Sequence, residues 1–343
     1  MTAVATDERP HLPTEAADGV VIAVTGLVKR YGGVEAVRGI DLAVRRGEIF
    51  GFLGPNGAGK STTISVLCTL LKPTSGSASV AGIDVTRDPD GVRSRIGLVF
   101  QDPSLDIQLT ARENLLFHAM VYGVARSQRK DRISSALATV DLSDRADALV
   151  STFSGGMKRR LEIARGILHA PEVLFLDEPT QGLDPQTRAN VWDHLGQIRA
   201  TTGLTIFMTT HYMEEAEFCD RIAIIDHGSI VAQGTPDELK AQVGGDIVVV
   251  STGDNLRAAQ EIESKLGVSP VKDADTLRVE VQDGAQFVPL LITALSLPVK
   301  TVTVRRPSLD DVFLKLTGRA IRDAEADSRM GMMRAFAAGR GRR

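Results

Sequence analysis

Residues 54–61 form an uninterrupted match to the pattern G-x-x-x-x-G-K-[ST]. Glycines let the backbone fold so that successive N–H groups point inward around a phosphate. Lys60 can reach the β and γ phosphates of a nucleotide, and the Ser61 hydroxyl can bind Mg²⁺. The run 48–53 reads as a buried strand entering the loop, and residues 61–71 read as the helix leaving it, whose N-terminal dipole favours anions. The residues predicted to contact the phosphates are Gly54, Pro55, Asn56, Gly57, Ala58, Gly59, Lys60, Ser61 and Thr62.

The composition is that of a globular protein. The chain has 343 residues, which allows two domains and a large core. Hydrophobic residues make up 43% and charged residues 24%, and the net charge of −3 does not favour a nucleic-acid partner. The two cysteines, Cys68 and Cys219, lie in apolar helix-like segments without metal-ligand spacing, so we expect them to fill a cytosolic core.

The sequence offers no candidate for a membrane anchor of its own. It has no run of 18 or more apolar residues, and the best stretch, residues 289–298, is short and broken by prolines. The first ten residues lack the apolar segment of a signal peptide. We therefore expect that any work at a membrane requires another protein as the anchor.

Strands and helices alternate from Val20 onward, which predicts an α/β layer fold. Residues 1–19 contain prolines and acidic residues but little apolar content, and are predicted to be disordered. Between residues 110 and 169 the periodicity is helical, which predicts a helical insertion between two core strands. The strand candidates are Val20–Thr25, Gly39–Val44, Ile96–Phe100, Val173–Leu176, Thr205–Thr209 and Arg221–Ile225.

A second, smaller unit is predicted after a flexible boundary at Gly244-Gly245. Residues 246–318 follow the order βαββαβ of a ferredoxin-like α+β unit. This unit has no phosphate-binding or catalytic pattern, so we expect it to tune assembly or coupling; the alternative is that it only stabilises the first domain. Residues 319–343 form an arginine-rich tail, predicted to be disordered, with a membrane-surface or partner-binding segment as the alternative.

Two adjacent carboxylates end a predicted buried strand. Residues 173–176 are apolar and lead directly into Asp177 and Glu178. The strand would deliver Asp177 to its C-terminal edge beside the phosphate loop, where a carboxylate can hold Mg²⁺ through water. Glu178 is then placed to polarise a water for attack on the γ-phosphate. Many strands end in acidic turns, so this prediction depends on the phosphate loop upstream.

A second anion-binding pattern, Ser154-Gly155-Gly156-Met157, precedes a helix-like segment. Serine and two glycines at a helix N-terminus form a nest of backbone donors that can bind an anion. One nucleotide does not need two such nests from the same chain, so the second nest is expected to serve a nucleotide held by a neighbouring subunit. The stretch resembles the signature loop of the ATP-binding cassette (ABC) ATPases, whose cassettes pair head to tail around ATP. Met157 replaces the glutamine usual in that family, while the serine hydroxyl and the backbone donors remain; a plain capped helix is the alternative.

Further landmarks of the ABC family appear in order along the chain. The resemblance implies that Tyr31 stacks on adenine and that Gln101 senses Mg²⁺ and faces the membrane partner. It also implies that Asp184 lies in the loop that crosses to the opposite cassette and that His211 contacts the γ-phosphate. The resemblance covers about residues 20–243 and implies a P-loop cassette with a mixed sheet core, a β subdomain and a helical subdomain.

Three segments resemble one subfamily of the ABC ATPases in particular. Residues 153–165, 210–217 and 309–318 look like those of the daunorubicin-resistance type of ATP-binding subunit. Such bacterial subunits pair with a separate membrane subunit and export drugs or natural products, although exporters of lipids, polysaccharides or sodium share much of the pattern. The resemblance implies a peripheral ATPase on the cytoplasmic face of the cell membrane that uses ATP and Mg²⁺ and has two partners, a second copy of itself and a transmembrane permease subunit.

Two other classes of function fit the sequence less well than export. A soluble ABC-type ATPase acting on DNA or ribosomes typically has two cassettes or long nucleic-acid modules, and this chain has one cassette and an acidic net charge. A non-hydrolysing ATP-binding regulator would not need to retain Glu178 and His211. We therefore predict Glu178 as the general base, with Lys60 and His211 stabilising charge on the phosphates.

Overall fold

The computed structural model describes residues 19–273 and 275–318, which form two compact units divided after Val231. The predicted disordered segment 1–19, except Gly19, and the arginine-rich tail 319–343 lie outside the described residues. No helix of the described part combines the length and apolar character needed to cross a membrane.

The first unit alternates strands and helices as predicted. Its strands are β1 (Val20–Tyr31), β2 (Val34–Arg45), β3 (Ile49–Leu53), β4 (Ser75–Val80), β5 (Ile83–Asp84), β6 (Ile96–Val99), β7 (Val173–Asp177), β8 (Thr205–Thr210), β9 (Arg221–Asp226) and β10 (Ser229–Gly234). Its helices are α1 (Lys60–Leu67), α2 (Pro89–Arg95), α3 (Ala111–Val121), α4 (Arg126–Thr139), α5 (Gly155–Ile167), α6 (Pro185–Thr202) and α7 (Met213–Ala216). Two short 3₁₀ turns cover Ser143–Arg145 and Val150–Thr152.

Two sheets build this unit. An antiparallel sheet has the order β2-β1-β4-β5, and a six-stranded sheet has the order β10-β9-β3-β8-β7-β6. In the larger sheet β3 is parallel to β8 and β9, and β7 is parallel to β6 and β8. Parallel strands end at the same edge, so the segments that follow β3, β6, β7 and β8 meet there, where α/β sheets bind ligands.

The central strands of the six-stranded sheet, β3, β7 and β8, are buried on both faces, which explains why their sequences are mostly apolar, whereas the edge strand β10 is only half-buried. All five residues of β3 and of β7 are buried. At its centre the ring of Phe207 lies 5.5–5.7 Å from the rings of Phe50, Phe52 and Phe175. Such aromatic packing fixes β3, β7 and β8 relative to one another and thereby the loops at their ends.

The block predicted to be helical contains α3, α4 and α5, between β6 and β7. The predicted helix after the phosphate loop is shorter than expected, because α1 ends at Leu67 and not at Leu71. Thr69 has a φ of +62°, a left-handed conformation that no α-helix continues through. The chain turns there, and the N–H groups of Leu70 and Leu71 both donate to the carbonyl of Ser65.

The second unit has the predicted order βαββαβ, preceded by one helix and followed by another. Its elements are α8 (Pro236–Ala241), β11 (Asp246–Thr252), α9 (Asn255–Leu266), β12 (Val271–Asp273), β13 (Thr276–Val281), α10 (Gly284–Ala294), β14 (Val299–Arg305) and α11 (Leu309–Thr317). The sheet order is β12-β13-β11-β14 and all neighbouring pairs are antiparallel, which is the ferredoxin-like arrangement.

The division between the units differs from the flexible boundary expected at Gly244-Gly245. These glycines allow a close approach of backbones inside the second unit. A Cβ on Gly245 would lie 2.0 Å from the carbonyl oxygen of Val281, and Gly244 has a φ of +114°. Just before them, the carbonyl of Val243 accepts a 2.6 Å hydrogen bond from Lys315 of α11. The segment that holds α8 therefore belongs to the second unit.

Candidate nucleotide-binding site

A cavity of about 280 Å³ lies at the end of β3. Most of the residues that line it come from the phosphate loop, the Gln101 segment and the turn after β7. The lining residues are Ala36, Asn56, Gly57, Gly59, Lys60, Ser61, Thr62, Gln101, Glu178 and Gln181. The structure thus brings together eight of the residues that the sequence predicted, and adds Ala36 and Gln181.

The phosphate loop depends on glycine at two close approaches. A Cβ on Gly54 would lie 2.3 Å from the carbonyl oxygen of Ile225, and one on Gly59 would lie 2.5 Å from that of Ala36. Gly59 also has a φ of +110°, which strains any other residue. The predicted loop residues Gly54, Pro55 and Ala58 are buried and do not line the cavity; the N–H of Ala58 donates to the carbonyl of Pro55 and closes the turn.

Lys60 begins α1 and is only 4% exposed. Its ammonium donates to the carbonyls of Gly54 (2.7 Å) and Pro55 (3.2 Å) and lies 3.3 Å from Oε1 of Glu178. The helix N-terminus has no side-chain cap, so its first N–H groups stay available to an anion. A buried cation and these donors together suit a phosphate group.

Asp177, at the end of β7, and Ser61, in the first turn of α1, lie side by side. The Ser61 hydroxyl lies 3.3 Å from Oδ1 of Asp177, which also accepts a 2.5 Å hydrogen bond from Thr209. A hydroxyl and a carboxylate are the oxygen ligands that Mg²⁺ prefers. The described residues contain no group of three His, Cys, Asp or Glu side chains that could hold a metal by themselves, so a cation here would need phosphate and water oxygens as well. The donor set fits a nucleotide-bound magnesium ion.

Glu178 combines an unusual backbone with a buried carboxylate. Its φ is +46°, and its N–H donates to Oγ1 of Thr209 at 3.0 Å. Nδ1 of His211 lies 3.2 Å from Oε2 of Glu178, although the two atoms are not aligned for a hydrogen bond and both remain without a hydrogen-bond partner. Burial would raise the pKa of Glu178, but His211 and Lys60 outweigh it and lower the pKa below its usual value. The group is therefore a carboxylate at neutral pH.

Gln101 and Tyr31 stand at the margins of the cavity. The Gln101 amide lines the cavity and donates a hydrogen bond to the side-chain oxygen of Gln181. Tyr31 pairs with Val34 at the β1–β2 turn and its side chain is 46% exposed, with the Lys29 ammonium 5.2 Å from its ring. The tyrosine does not line the cavity, but its exposed ring is free to stack on a flat group.

The predicted signature loop lies away from the cavity lining. Ser154 caps α5 by accepting a hydrogen bond from the N–H of Met157 at 3.3 Å, and Ser154 and Gly155 are exposed. Gly156 is buried against Thr187, and a Cβ at this position would lie 2.3 Å from the methyl group of Thr187. Exposed Asp184 caps α6 by accepting hydrogen bonds from the backbone N–H and hydroxyl of Thr187. The two loops thus pack on each other through Thr187, and neither lines the phosphate cavity.

Sequence reasoning missed several residues of the site. Ala36 reaches the cavity from β2 because the backbone there passes against Gly59. Thr209 holds the Asp177 carboxylate and the Glu178 backbone, since its hydroxyl donates to Oδ1 of Asp177 and accepts from the backbone N–H of Glu178. The sequence does indicate Thr209, because it is a threonine at the end of a buried strand next to the strand that ends in the two carboxylates. Nothing in the sequence indicates that Ala36 lies at the cavity.

The fold and the site define a P-loop nucleotide-binding ATPase. Residues 37–181 match the family described as ABC transporter, and residues 234–317 match the C-terminal domain of ATP-binding proteins described as DrrA1-3-like. The daunorubicin/doxorubicin resistance ATP-binding protein of Streptomyces peucetius is 42% identical over 89% of this chain and 95% of its own length. The linearmycin resistance ATP-binding protein of Bacillus subtilis is 39% identical over 86% and 97%, and the Nod factor export ATP-binding protein I of Ralstonia nicotianae is 40% identical over 88% and 95%.

Solved structures agree with these relatives. The cbiO1 subunit of an ABC transporter complex of Clostridium perfringens matches with a TM-score of 0.62 and 28% identity, over 73% of this chain and 97% of its own. A dimeric bacterial ABC transporter cassette matches with a TM-score of 0.57 and 28% identity, over 62% and 98%. The chain belongs to the ATP-binding proteins of ABC transporters, ATPases whose hydrolysis is coupled to transport.

Proposed function

We propose that this chain energises the export of a drug or hydrophobic natural product through a separate membrane subunit. Two of its relatives bear the names of drug-resistance proteins and match almost their entire length. We assign the transport path to a transmembrane permease subunit that this chain binds from the cytoplasmic face, because its relatives are named as the ATP-binding proteins of resistance and export systems.

We assign roles to Lys60 and Glu178, which line the cavity, and to His211, which lies beside Glu178 but does not line it. Lys60 binds the β and γ phosphates, Glu178 is the general base that accepts a proton from the attacking water, and His211 orients Glu178 and contacts the γ-phosphate. Ser61, Asp177 and Gln101 are the residues that would hold Mg²⁺, which neutralises phosphate charge when bound. The observation that carries this proposal is the buried carboxylate of Glu178, within 3.3 Å of both Lys60 and His211.

The signature loop is assigned to a second copy of the chain. Ser154 and Gly155 are exposed and do not line the cavity of their own chain, so they are available to a nucleotide held by another copy. The similarity to a dimeric cassette supports this head-to-tail arrangement. Asp184 lies next to the signature loop through Thr187 and would meet the opposite copy at the same surface. Tyr31 is assigned to the adenine ring.

Mixing two inactive variants tests the head-to-tail arrangement. Lys60→Ala removes the main cation for the phosphates and is expected to weaken ATP binding itself. Ser154→Arg leaves the first binding event intact and blocks closure by its bulk. A mixture of the two proteins contains dimers with one intact composite site, so about half of the wild-type activity per such dimer should return. No recovery on mixing, or an equal loss of ATP binding in both variants, would contradict the arrangement.

The cargo is tested in cells. Co-expression of this chain with its membrane partner should lower drug accumulation, and the Glu178→Gln variant should abolish that effect while the complex still assembles. The Nod factor relative makes export of a different amphiphile the second candidate. Drug accumulation that does not respond to the wild-type pair would favour that candidate.

A further inference from the structure

The buried guanidinium of Arg159 has more protein contacts than any role so far assigned requires. Arg159 lies in the first turns of α5, and it is 6% exposed. Its Nε donates to the carbonyl of Pro179, and one terminal nitrogen donates to the carbonyls of Asp177 and Glu178, each at 3.3 Å. The other terminal nitrogen donates to the carbonyl of Phe100 at 2.6 Å and to Glu162 at 3.0 Å.

These contacts use the whole donor capacity of the side chain. An arginine carries five N–H donors in a fixed plane. Arg159 has five acceptors, and four of them are backbone carbonyls that lie next to site residues. Three of these carbonyls belong to the turn 177–179 that carries the general base, and the fourth belongs to the residue before Gln101.

The turn that Arg159 binds contains a residue in an unfavourable backbone conformation. Glu178 has a left-handed φ of +46°, which a residue with a side chain adopts only where its surroundings enforce it. Thr209 fixes the N–H of Glu178, and Arg159 fixes the carbonyls on both sides of it. The direction of the Glu178 carboxylate depends on this backbone.

The ion pair of Arg159 extends the connection to the other side of Gln101. Glu162 is fully buried, and besides Arg159 it accepts a 2.8 Å hydrogen bond from the N–H of Ser104. The Arg159–Glu162 pair therefore holds α5 to residues on both sides of Gln101, at Phe100 and at Ser104. The Arg159–Glu162 pair thus lies on the helix that follows the signature loop and contacts both the Gln101 segment and the catalytic turn.

We propose that Arg159 is a positioning residue that sets the geometry of Glu178 for hydrolysis. It acts by holding the 177–179 turn against α5 and the Gln101 segment, and it touches no nucleotide. The proposal rests on the assignment of Glu178 as the general base. A misplacement of about 1 Å in a reacting group costs on the order of 100-fold in rate, so loss of these contacts should lower kcat and leave nucleotide binding intact.

Two variants of the full chain test the proposal, with one control. Arg159→Lys keeps the charge but concentrates its donors on a single nitrogen, which cannot serve carbonyls on both segments. The double variant Arg159→Met/Glu162→Gln removes both charges of the pair, and its amide can still accept from Ser104; Arg165, 4.0 Å from Glu162, keeps its hydrogen bonds to the carbonyl and hydroxyl of Ser104. Arg160→Met is the matched control, because Arg160 is the next residue of the helix and donates to the carbonyls of Val140 and Asp141 instead.

The readouts are kcat, the dissociation constant of a non-hydrolysable Mg-nucleotide and the melting temperature, in the assembly in which the wild type hydrolyses ATP. Both Arg159 variants are expected to lose about 10- to 100-fold in kcat, with nucleotide affinity within about threefold of the wild type, while Arg160→Met retains its kcat. A folded Arg159→Lys or double variant with wild-type kcat would overturn the proposal, as would an equal loss in Arg160→Met. Glu178→Gln is measured in parallel: wild-type turnover there would refute the base assignment itself, independently of the Arg159 result.

Discussion

Replacing Glu178 with glutamine removes a charge and keeps the shape of the side chain. In the structure this carboxylate is 7% exposed, 3.3 Å from the Lys60 ammonium and 3.2 Å from Nδ1 of His211. Removing a general base typically costs 100- to 10,000-fold in rate, or roughly 3–5 kcal/mol in the barrier. We expect kcat to fall within this range or below the detection limit.

In contrast to its effect on kcat, the Glu178→Gln substitution should not weaken nucleotide binding. Two unit charges at the 3.3 Å separation of Lys60 and Glu178 attract by roughly 5 kcal/mol at an effective dielectric constant of about 20, and dehydration of both groups offsets much of this. The phosphates need the same ammonium that Glu178 contacts, so removal of the carboxylate charge should leave ATP affinity unchanged or increase it. An ATP-bound dimer of the Glu178→Gln variant should therefore accumulate.

The assay combines steady-state turnover, binding of a fluorescent Mg-ATP analogue, and size-exclusion chromatography with and without ATP. Glu214→Gln is the matched control, because Glu214 lies on α7 with its carboxylate 88% exposed and outside the cavity. The control should behave as the wild type in all three measurements. Turnover of Glu178→Gln within a few-fold of the wild type would refute the assignment of the base, and a large loss of ATP binding would refute the argument from charge.

Three further predictions follow from individual contacts. Because His211 and Lys60 outweigh the effect of burial and lower the pKa of Glu178, kcat at saturating Mg-ATP should lose nothing to protonation of Glu178 near neutral pH and fall only as the pH drops through the lowered pKa; an acid limb of kcat that lies above the usual carboxyl range and is absent from Glu178→Gln would contradict this. Gly156→Ala should destabilise the protein by about 1–3 kcal/mol in thermal unfolding, since its Cβ would lie 2.3 Å from the Thr187 methyl group, and Thr187→Ser should restore part of the loss. Asp311→Ala should destabilise the second unit by about 3–5 kcal/mol in denaturant unfolding, because Asp311 is 4% exposed and pairs with Arg278 and Arg305, while ATP affinity stays unchanged.

The core strands and the phosphate loop were predictable because their signals are local. A strand buried on both faces is mostly apolar, so β3, β7, β8 and β9 stand out in the sequence as apolar runs, with polar residues at the ends of β7, β8 and β9. The loop motif specifies backbone geometry by its own glycines. Once these strands are parallel neighbours, the carboxylates after β7 and His211 after β8 must reach the edge where β3 delivers the phosphate loop.

Contacts between distant segments left no such signal. Gly244 and Gly245 have the composition of a linker, yet Gly245 is required by the approach of the Val281 carbonyl from β13. The cavity wall formed by Ala36 depends on where β2 crosses the phosphate loop, and alanine is compatible with almost any environment. The five acceptors of Arg159 come from three separate segments, so the sequence displays only one basic residue among several in α5.

The methionine in the signature loop is explained by what the structure exposes there. The loop can offer an anion the N-terminal N–H groups of α5, the Ser154 hydroxyl and the exposed backbone of Gly155. Met157 supplies its backbone N–H to the Ser154 cap, and its side chain is half-buried. Replacing the usual glutamine with methionine therefore removes one side-chain donor and leaves the capped helix end and its backbone donors in place. A Met157→Gln variant should accordingly hydrolyse ATP at close to the wild-type rate, and a large gain in kcat would show that the missing amide limits this enzyme.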